Sequence, residues 1–373
     1  MFILKKNKMK LIKSNYEIIE QQPGLDGIYK AIESAGRTCY KSEDKITDNY
    51  FIDDKIVPPD TEVLRQDGYA TVKEFVDNGI FEVNFNGTNI KMKKESSAKE
   101  FVDRMIKSGH HAMLEFGTVY LKCKCGYNSP LSKYKSNKYS KYTNDVAYID
   151  ETPSDTSITY NHYVITNYRV LVENNWLDDL KYLCEPTENH EKRICVRFTT
   201  DRGVSHELVR HRVFSFAQES TRYCNYSKDK FSNELTFIIP SWCTLEEGRY
   251  KWNGFNYGDE DYWCGWRKDS EPLNIEQSSD LGKTIIKRMI NYHALLRSLN
   301  SSEENYKELL SKHTPQEARQ VLPNALKTEI NMCGFISDWK HFFDLRDDSH
   351  AHPDMQALAK PLHQEFINRK LLE

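Results

Sequence analysis

Between Gly24 and Tyr40 apolar residues recur at Ile28, Ala31, Ile32 and Ala35, the spacing of a helix that buries one face. After Ser42-Glu43 the pattern changes. Residues from about 49 to 96 hold Pro58-Pro59, several Gly and Asp, and alternating apolar and polar positions from Phe81 to Met92 on both sides of Asn86-Gly87. That alternation predicts a hairpin closed by a two-residue turn, and the segment reads as a small β-rich insert. Ser97-Ala98-Lys99-Glu100 has the form of a capping box, opening a helix through Phe101, Val102, Met105 and Ile106 that stops at Gly109. From Thr118 to Lys124, Val119, Leu121 and Cys123 alternate with Thr118, Tyr120 and Lys122, as in a half-buried strand.

Farther on, a Lys/Tyr/Ser/Asn-rich stretch from about 126 to 158 reads as a loop, and Ile194–Thr199 and Leu235–Ile239 read as strands. Gly203 to Val209 reads as a helix with Val204 and Leu208 one turn apart, and its periodicity breaks past Arg212. Residues 243 to 277, rich in Trp, Gly, Asp and Glu, read as a surface excursion. Helices follow at about 278 to 298, with Leu281, Ile285, Ile286, Met289 and Ile290, and at about 302 to 311. Another is opened by Thr314-Pro315-Gln316-Glu317, an N-cap with Pro at the first helical position and a capping Glu. A long helix to about Phe343 and a last one from Pro353, striped by Met355, Leu358, Leu362 and Phe366, complete the pattern.

Composition narrows the partners. The chain of 373 residues has a formal net charge of -3, so no global positive field draws it to nucleic acid or an anionic membrane. No apolar run approaches the roughly 20 residues that span a bilayer, and the first residues lack a signal-peptide pattern, so a cytoplasmic location is expected. Nine cysteines without a repeating interval suit reduced thiols. Cys123 and Cys125 form the single close pair, with no second pair or HxxxH beside it, so no metal site is expected.

The chemistry concentrates between Arg210 and Tyr223, where Arg210, His211, Arg212, Ser215, Gln218, Glu219, Ser220 and Arg222 fall within fourteen residues. Guanidinium groups are always charged and present a planar fork of donors, so three of them need an anion, a carbonyl or water. A solvated patch or an arginine-carboxylate network is the usual reason for a pair of arginines. The spacing here favours a phosphate-bearing ligand instead. Arg210, His211, Arg212 and, seven residues on, Ser220 resemble the RHRx7S signature of the flavin-dependent thymidylate synthases, and Ser215, Glu219, Arg222 and Tyr223 fit its wider form. Three further segments resemble that family: His110 to Glu115, Ala318 to Pro323 with Arg319, and Phe342 to Ala351 with Arg346.

The resemblance implies an α+β fold, an antiparallel β-sheet flanked by helices, with residues 1–48 and 97–373 forming the synthase domain and 49–96 an insert of unknown role. It implies a methyltransferase converting dUMP to dTMP with FAD, methylenetetrahydrofolate as carbon donor and NADPH as reductant, in a homotetramer. By the same resemblance Glu207, Arg210, Gln218, Glu219, Ser220, Thr221, Arg222, Arg319 and Arg346 bind dUMP, and Arg346 activates the uracil. His110, Ala112, Arg210, His211, Arg212, Gln218, His341 and His350 bind FAD. The chain departs from the family pattern at Glu207, where many members have Gln, at Phe116 and His341, and at Phe335 and Ser337, where many have an Asn-x-Arg.

Ser220 as a nucleophile would need an adjacent base, and its neighbours Glu219 and Arg222 offer no histidine. His211 is expected to be neutral at pH 7, its pKa lowered by adjacent arginines. His350 is balanced between a ligand role and a surface or capping role, whereas His352 fits the latter better. A function of another class, an RNA or single-strand-binding module, would use the arginines and the 22 tyrosines as stacking platforms, against the negative net charge. An inactive homologue would bind dUMP or another nucleotide without turnover. The cysteine-dependent synthase is excluded because no Pro-Cys-His segment exists in the chain.

Overall fold

Two short strands, β1 (Lys8–Ile12) and β2 (Asn15–Ile19), precede the first helix and pair with strands more than 170 residues later. The computed structural model describes residues 8–65, 68–78, 80–85, 88–152, 155–228, 231–257, 261–271 and 279–372. It divides into one unit of residues 1–19 with 193–373 and another of residues 20–192.

In the unit of residues 20–192, α1 (Gly24–Tyr40) has the bounds its periodicity predicts and ends on Lys41 at φ 47°. Ile28 and Ile32 are buried in one cluster with Phe101, Val102 and Met105. Next come β3 (Asp48–Ile52), β4 (Lys55–Val57), β5 (Glu62–Arg65), β6 (Gly68–Thr71), α2 (Val72–Asp77), β7 (Glu82–Phe85) and β8 (Thr88–Ser96). Phe85 pairs with Thr88, the register of a two-residue turn, and the expected turn residues Asn86 and Gly87 lie outside the described residues. Tyr50, Val63, Val72, Phe75, Val76 and Met92 form this segment's own small core. In α3 (Ser97–Lys107) the N-cap position is Ser96, which corrects the expected capping box. Ser97 is already helical, and its hydroxyl donates to Glu33 at 2.8 and 2.9 Å.

Strands β9 (Thr118–Cys125), β10 (Lys141–Thr152) and β11 (Asp155–Asn167) form an antiparallel sheet in the order β10-β11-β9, followed by α4 (Tyr168–Glu173). The loop expected over 126–158 is therefore largely a long hairpin. Val146, Tyr148 and Ile149 on β10 are exposed, so these positions carry none of the in-out alternation by which a strand is recognised.

The other unit resumes with β12 (Arg193–Asp201), α5 (Arg202–Leu208), β13 (Ser215–Gln218), β14 (Thr236–Ile238), β15 (Gly248–Tyr257) and β16 (Asp261–Lys268). Then follow α6 (Asp280–Leu310), α7 (Pro315–Ala318), β17 (Lys327–Phe335), α8 (Ile336–Arg346) and α9 (Pro353–Asn368). One sheet runs β13-β17-β12-β2, antiparallel throughout. The second runs β14-β1-β15-β16, with β1 and β14 parallel. The class is thus α+β with mainly antiparallel pairing.

Three expectations are corrected in this unit. The surface excursion over 243–277 contains the β15-β16 hairpin, whose Tyr250 and Trp266 are buried in the core with Met9 and Phe237. The helices expected at 278–298 and 302–311 are one continuous α6 in the described residues, because Leu296, Leu299, Glu303 and Tyr306 are all buried across the Asn300-Ser301-Ser302 junction. Packing there overrides weak local propensity. The long helix running to Phe343 is instead a short turn at Pro315, the strand β17, and then α8. Every residue of β17 from Ile330 to Phe335 is buried, and a strand covered on both faces reads as an apolar run without period two. Helices α8 and α9 close the core, Trp339, Phe342, Phe343, Leu358, Leu362 and Phe366 packing with Val196 and Phe198 of β12.

Candidate active site

Helix α5 starts where Asp201 Oδ1 accepts the Val204 N–H at 2.8 Å, a side-chain cap. It ends at Leu208, and the chain turns off it through bonds from the Arg210 N–H to the Glu207 carbonyl at 3.2 Å and from the His211 N–H to the Leu208 carbonyl at 3.1 Å. That turn sends His211 inward and leaves Arg210 and Arg212 exposed. The His211 ring is buried edge-on against Phe342, with centroids 5.0 Å apart.

Arg346, in the last turn of α8, reaches the same point. Its Nε–H donates to His211 Nε2 at 2.9 Å, and its Nη1 donates to Glu207 Oε2 at 2.9 Å. Burial first, then the positive charge of Arg346 and that of His341, pushes the His211 pKa down to about 4. The expected neutral His211 is thus found, but its main causes are burial and Arg346 rather than the adjacent arginines. Because Nε2 accepts from Arg346, the ring proton of the neutral form sits on Nδ1.

A polar layer lies beside this cluster on the sheet. Gln218 Nε2 donates to Ser205 Oγ at 2.9 Å and to Thr328 Oγ1 at 3.2 Å. Glu219 is buried, its carboxylate accepting from Tyr226 OH at 2.7 Å and Lys327 Nζ at 3.0 Å. Burial, reinforced by the Glu219 charge, pushes the Tyr226 hydroxyl well up. Burial alone would lower Lys327, but the Glu219 and Glu329 carboxylates outweigh it and hold the ammonium above its usual range. Downstream, Ser220 Oγ accepts the Arg222 N–H at 3.3 Å, and the Ser220 carbonyl accepts the N–H groups of Tyr223 and Cys224. Thr221 is buried, while the Arg222 guanidinium lies over the Tyr223 ring, 5.4 Å from its centre. Arg319 is exposed in the turn after α7. Among the described residues, Arg210, Arg212, Arg222 and Arg319 have no carboxylate partner.

The remaining predicted residues are dispersed. His110 and Ala112 are exposed in the unit of residues 20–192, at the start of the 3-10 turn His111–Phe116. His341 is exposed on α8, and the His350 ring pairs with Asp348 at 2.7 Å in solvent. His352 Nδ1 accepts the Asp354 N–H at 3.2 Å, a capping role at the start of α9. Ser205, Lys327 and Thr328, the groups that hold Gln218 and Glu219, escape sequence reasoning. For Lys327 and Thr328 the one signal is the polar run Lys327-Thr328-Glu329 ahead of an apolar one. Among the described residues no group of three His, Cys, Asp or Glu is arranged to hold a metal ion, and no helix is long and apolar enough to cross a membrane.

Residues 190–369, which carry this entire arginine-histidine cluster, match the family model described as thymidylate synthase complementing protein. This region belongs to that family. Known members of similar sequence include the flavin-dependent thymidylate synthase of Corynebacterium aurimucosum, 30% identical over 160 residues, 42% of this chain and 51% of that protein. The synthase of Mycolicibacterium vanbaalenii is 30% identical over 161 residues, 42% of this chain and 50% of that protein. The chain spans about half the length of the curated relatives it matches. Among solved structures, a UMP/dUMP methylase PolB from Streptomyces cacaoi bound with 5-Br dUMP aligns with a TM-score of 0.30 at 19% identity, covering 47% of this chain and 66% of that one. As a thymidylate synthase complementing protein region, 190–369 contains β12, α5, β13, β17, α8 and α9, and so the partners named above for His211 and Arg346.

Proposed function

We propose that this chain is a flavin-dependent thymidylate synthase, methylating dUMP to dTMP with FAD, methylenetetrahydrofolate as carbon donor and NADPH as reductant, as a cytoplasmic homotetramer. The observation that carries the reading is Arg346, held by His211 and Glu207 beside a run of arginines that have no carboxylate partner among the described residues. Free guanidinium groups fit the pyrophosphate of FAD and the monophosphate of dUMP. Arg222, Arg319, the Ser220 hydroxyl and the backbone from Gln218 through Glu219 and Thr221 would hold the nucleotide phosphate and sugar, with the Glu207 backbone carbonyl and Arg346 at the uracil. Arg210 would serve both ligands, and His110, Ala112, His211, Arg212, Gln218, His341 and His350 would contribute to the FAD site. Reduced FAD supplies the hydride when bound.

The chain's own task is electrostatic. Uracil is a poor electrophile until negative charge on its imide edge is stabilised, and a guanidinium oriented before the reaction does this without reorganising. A neutral His211 accepting from Nε orients Arg346 while adding no competing charge. The test is dTMP formation by purified protein supplied with FAD, NADPH and methylenetetrahydrofolate, beside Arg346→Ala. Loss of roughly 10²–10³-fold in kcat is expected for the variant. Nucleotide binding without product in the wild type would favour the inactive homologue, and absence of dUMP binding would overturn the reading.

A further inference from the structure

Arg346 is tethered from two sides, and the two tethers differ in kind. His211 is buried and neutral; it takes Nε–H and fixes the plane of the guanidinium without offsetting its charge. Glu207 takes Nη1 on its carboxylate at 2.9 Å and Nη2 on its carbonyl at 3.5 Å. Its side chain is 30% exposed, and Glu207 also lines a cavity of about 300 Å³ bounded by Asp201, Val204, Trp242 and Asp354. Being part-exposed, the carboxylate can turn from Arg346 to solvent. If it let go of Arg346 it would meet open space rather than a closed core, so no buried unpaired charge would result.

We infer that Glu207 is the counter-ion that parks Arg346 before the nucleotide arrives, and that the incoming nucleotide ring replaces the Glu207 carboxylate on Nη1 while His211 keeps Nε. This rests on the reading of the site as one for dUMP. Binding is then an exchange, in which the ring's oxygen must displace a charge-assisted hydrogen bond already made. The ion pair keeps the guanidinium aligned but weakens the apparent affinity by the fraction of molecules in which it is intact. Glu207 is a positioning residue in this scheme, acting through Arg346. A neutral residue of the same shape would retain an oxygen to align Nη1 and remove the charge that competes with the ligand.

The experiment is calorimetric titration of dUMP into the wild type, Glu207→Gln and Glu207→Ala, with KM and kcat for each. Glu207→Gln is expected to bind dUMP more tightly, roughly three- to ten-fold, read as a lower Kd and a lower KM. Glu207→Ala also removes the competing carboxylate and is expected to bind dUMP at least as tightly as the wild type, with a smaller gain than Glu207→Gln because Nη1 is then unaligned before the ligand arrives. A merely structural glutamate would make both variants bind more weakly. Binding by Glu207→Gln no tighter than by an active wild type overturns the inference and leaves the dUMP reading standing. Binding by the variant alone supports the inference, and failure of both proteins to bind overturns the inference and the reading together.

Discussion

The Nε–H of Arg346 points at His211 Nε2 across 2.9 Å, and only a neutral imidazole accepts such a bond. With the His211 pKa pushed down to about 4, the folded protein binds that proton less readily than the unfolded chain, whose histidine titrates near 6.5. Stability from this group is complete above about pH 6.5, falls as the pH drops towards about 4, and so rises with pH across that window. The full shift corresponds to roughly 3 kcal/mol. Urea unfolding of the wild type at pH 7.5 and pH 5 should show a loss of about 2 kcal/mol of this, and His211→Gln should show a flatter dependence. Equal slopes for the two proteins would remove His211 as the source.

The unpaired arginines lead to a second expectation. Arg222→Ala and Arg319→Ala should each weaken dUMP binding by about ten-fold or more, since hydrogen bonds between charged partners are worth about 1.5–3 kcal/mol. The wild type's affinity should fall as salt rises, and each variant should show a shallower fall. A variant with unchanged affinity and unchanged salt dependence would place that guanidinium outside the nucleotide site.

Lys327 and Glu219 form a half-hidden pair under the polar layer, with Glu219 almost fully buried. Replacing the lysine alone strands a carboxylate, so Lys327→Met should cost about 3–5 kcal/mol in urea or thermal unfolding. Adding Glu219→Gln should restore much of this, because the amide oxygen can still accept from Tyr226. A double variant as unstable as Lys327→Met would show that the pair's charge is not what matters.

Gly334 on β17 faces Phe214, whose ring carbon lies 2.4 Å from where a Cβ would stand. Phe214 also packs edge-on against Trp339 and His211. Gly334→Ala should therefore destabilise by about 1–3 kcal/mol through overpacking and lower turnover by shifting His211. Gly334→Ala paired with Phe214→Leu should recover stability, and if Gly334→Ala is itself neutral, this close approach is not a constraint.

Much of this site is legible because its residues are close in sequence. Arg210, His211 and Arg212 stand out as charge without local compensation, and the α5 periodicity places them at a helix end. The pairing with Glu207 is not legible: Glu207 and Arg346 are 139 residues apart, and nothing local distinguishes an ion-paired arginine from a free one. Strand β17 reads as helix because it is buried on both faces, which erases the alternation that marks a strand. Strand β10 escapes for the opposite reason, since Val146, Tyr148 and Ile149 are exposed among polar residues and leave no apolar face to detect. Helix α6 reads as two at Asn300-Ser301-Ser302, where local propensity points one way and the buried Leu299 and Glu303 point the other.

Strand β17 sits between β13 and β12 and runs straight into α8. The stretch from the end of β13 to the start of β17 is thus a closed loop, pinned at both ends by one ladder. The entropy of closing such a loop grows only logarithmically, by about 0.6 kcal/mol for each doubling of length. Away from Glu219–Arg222, Arg319 and the buried core positions, a change of length between those two anchors therefore costs little entropy while Arg346 still returns to His211. The β15-β16 hairpin and the long α6 lie in this interval, and their exposed parts are where added residues would least disturb the arrangement at the centre.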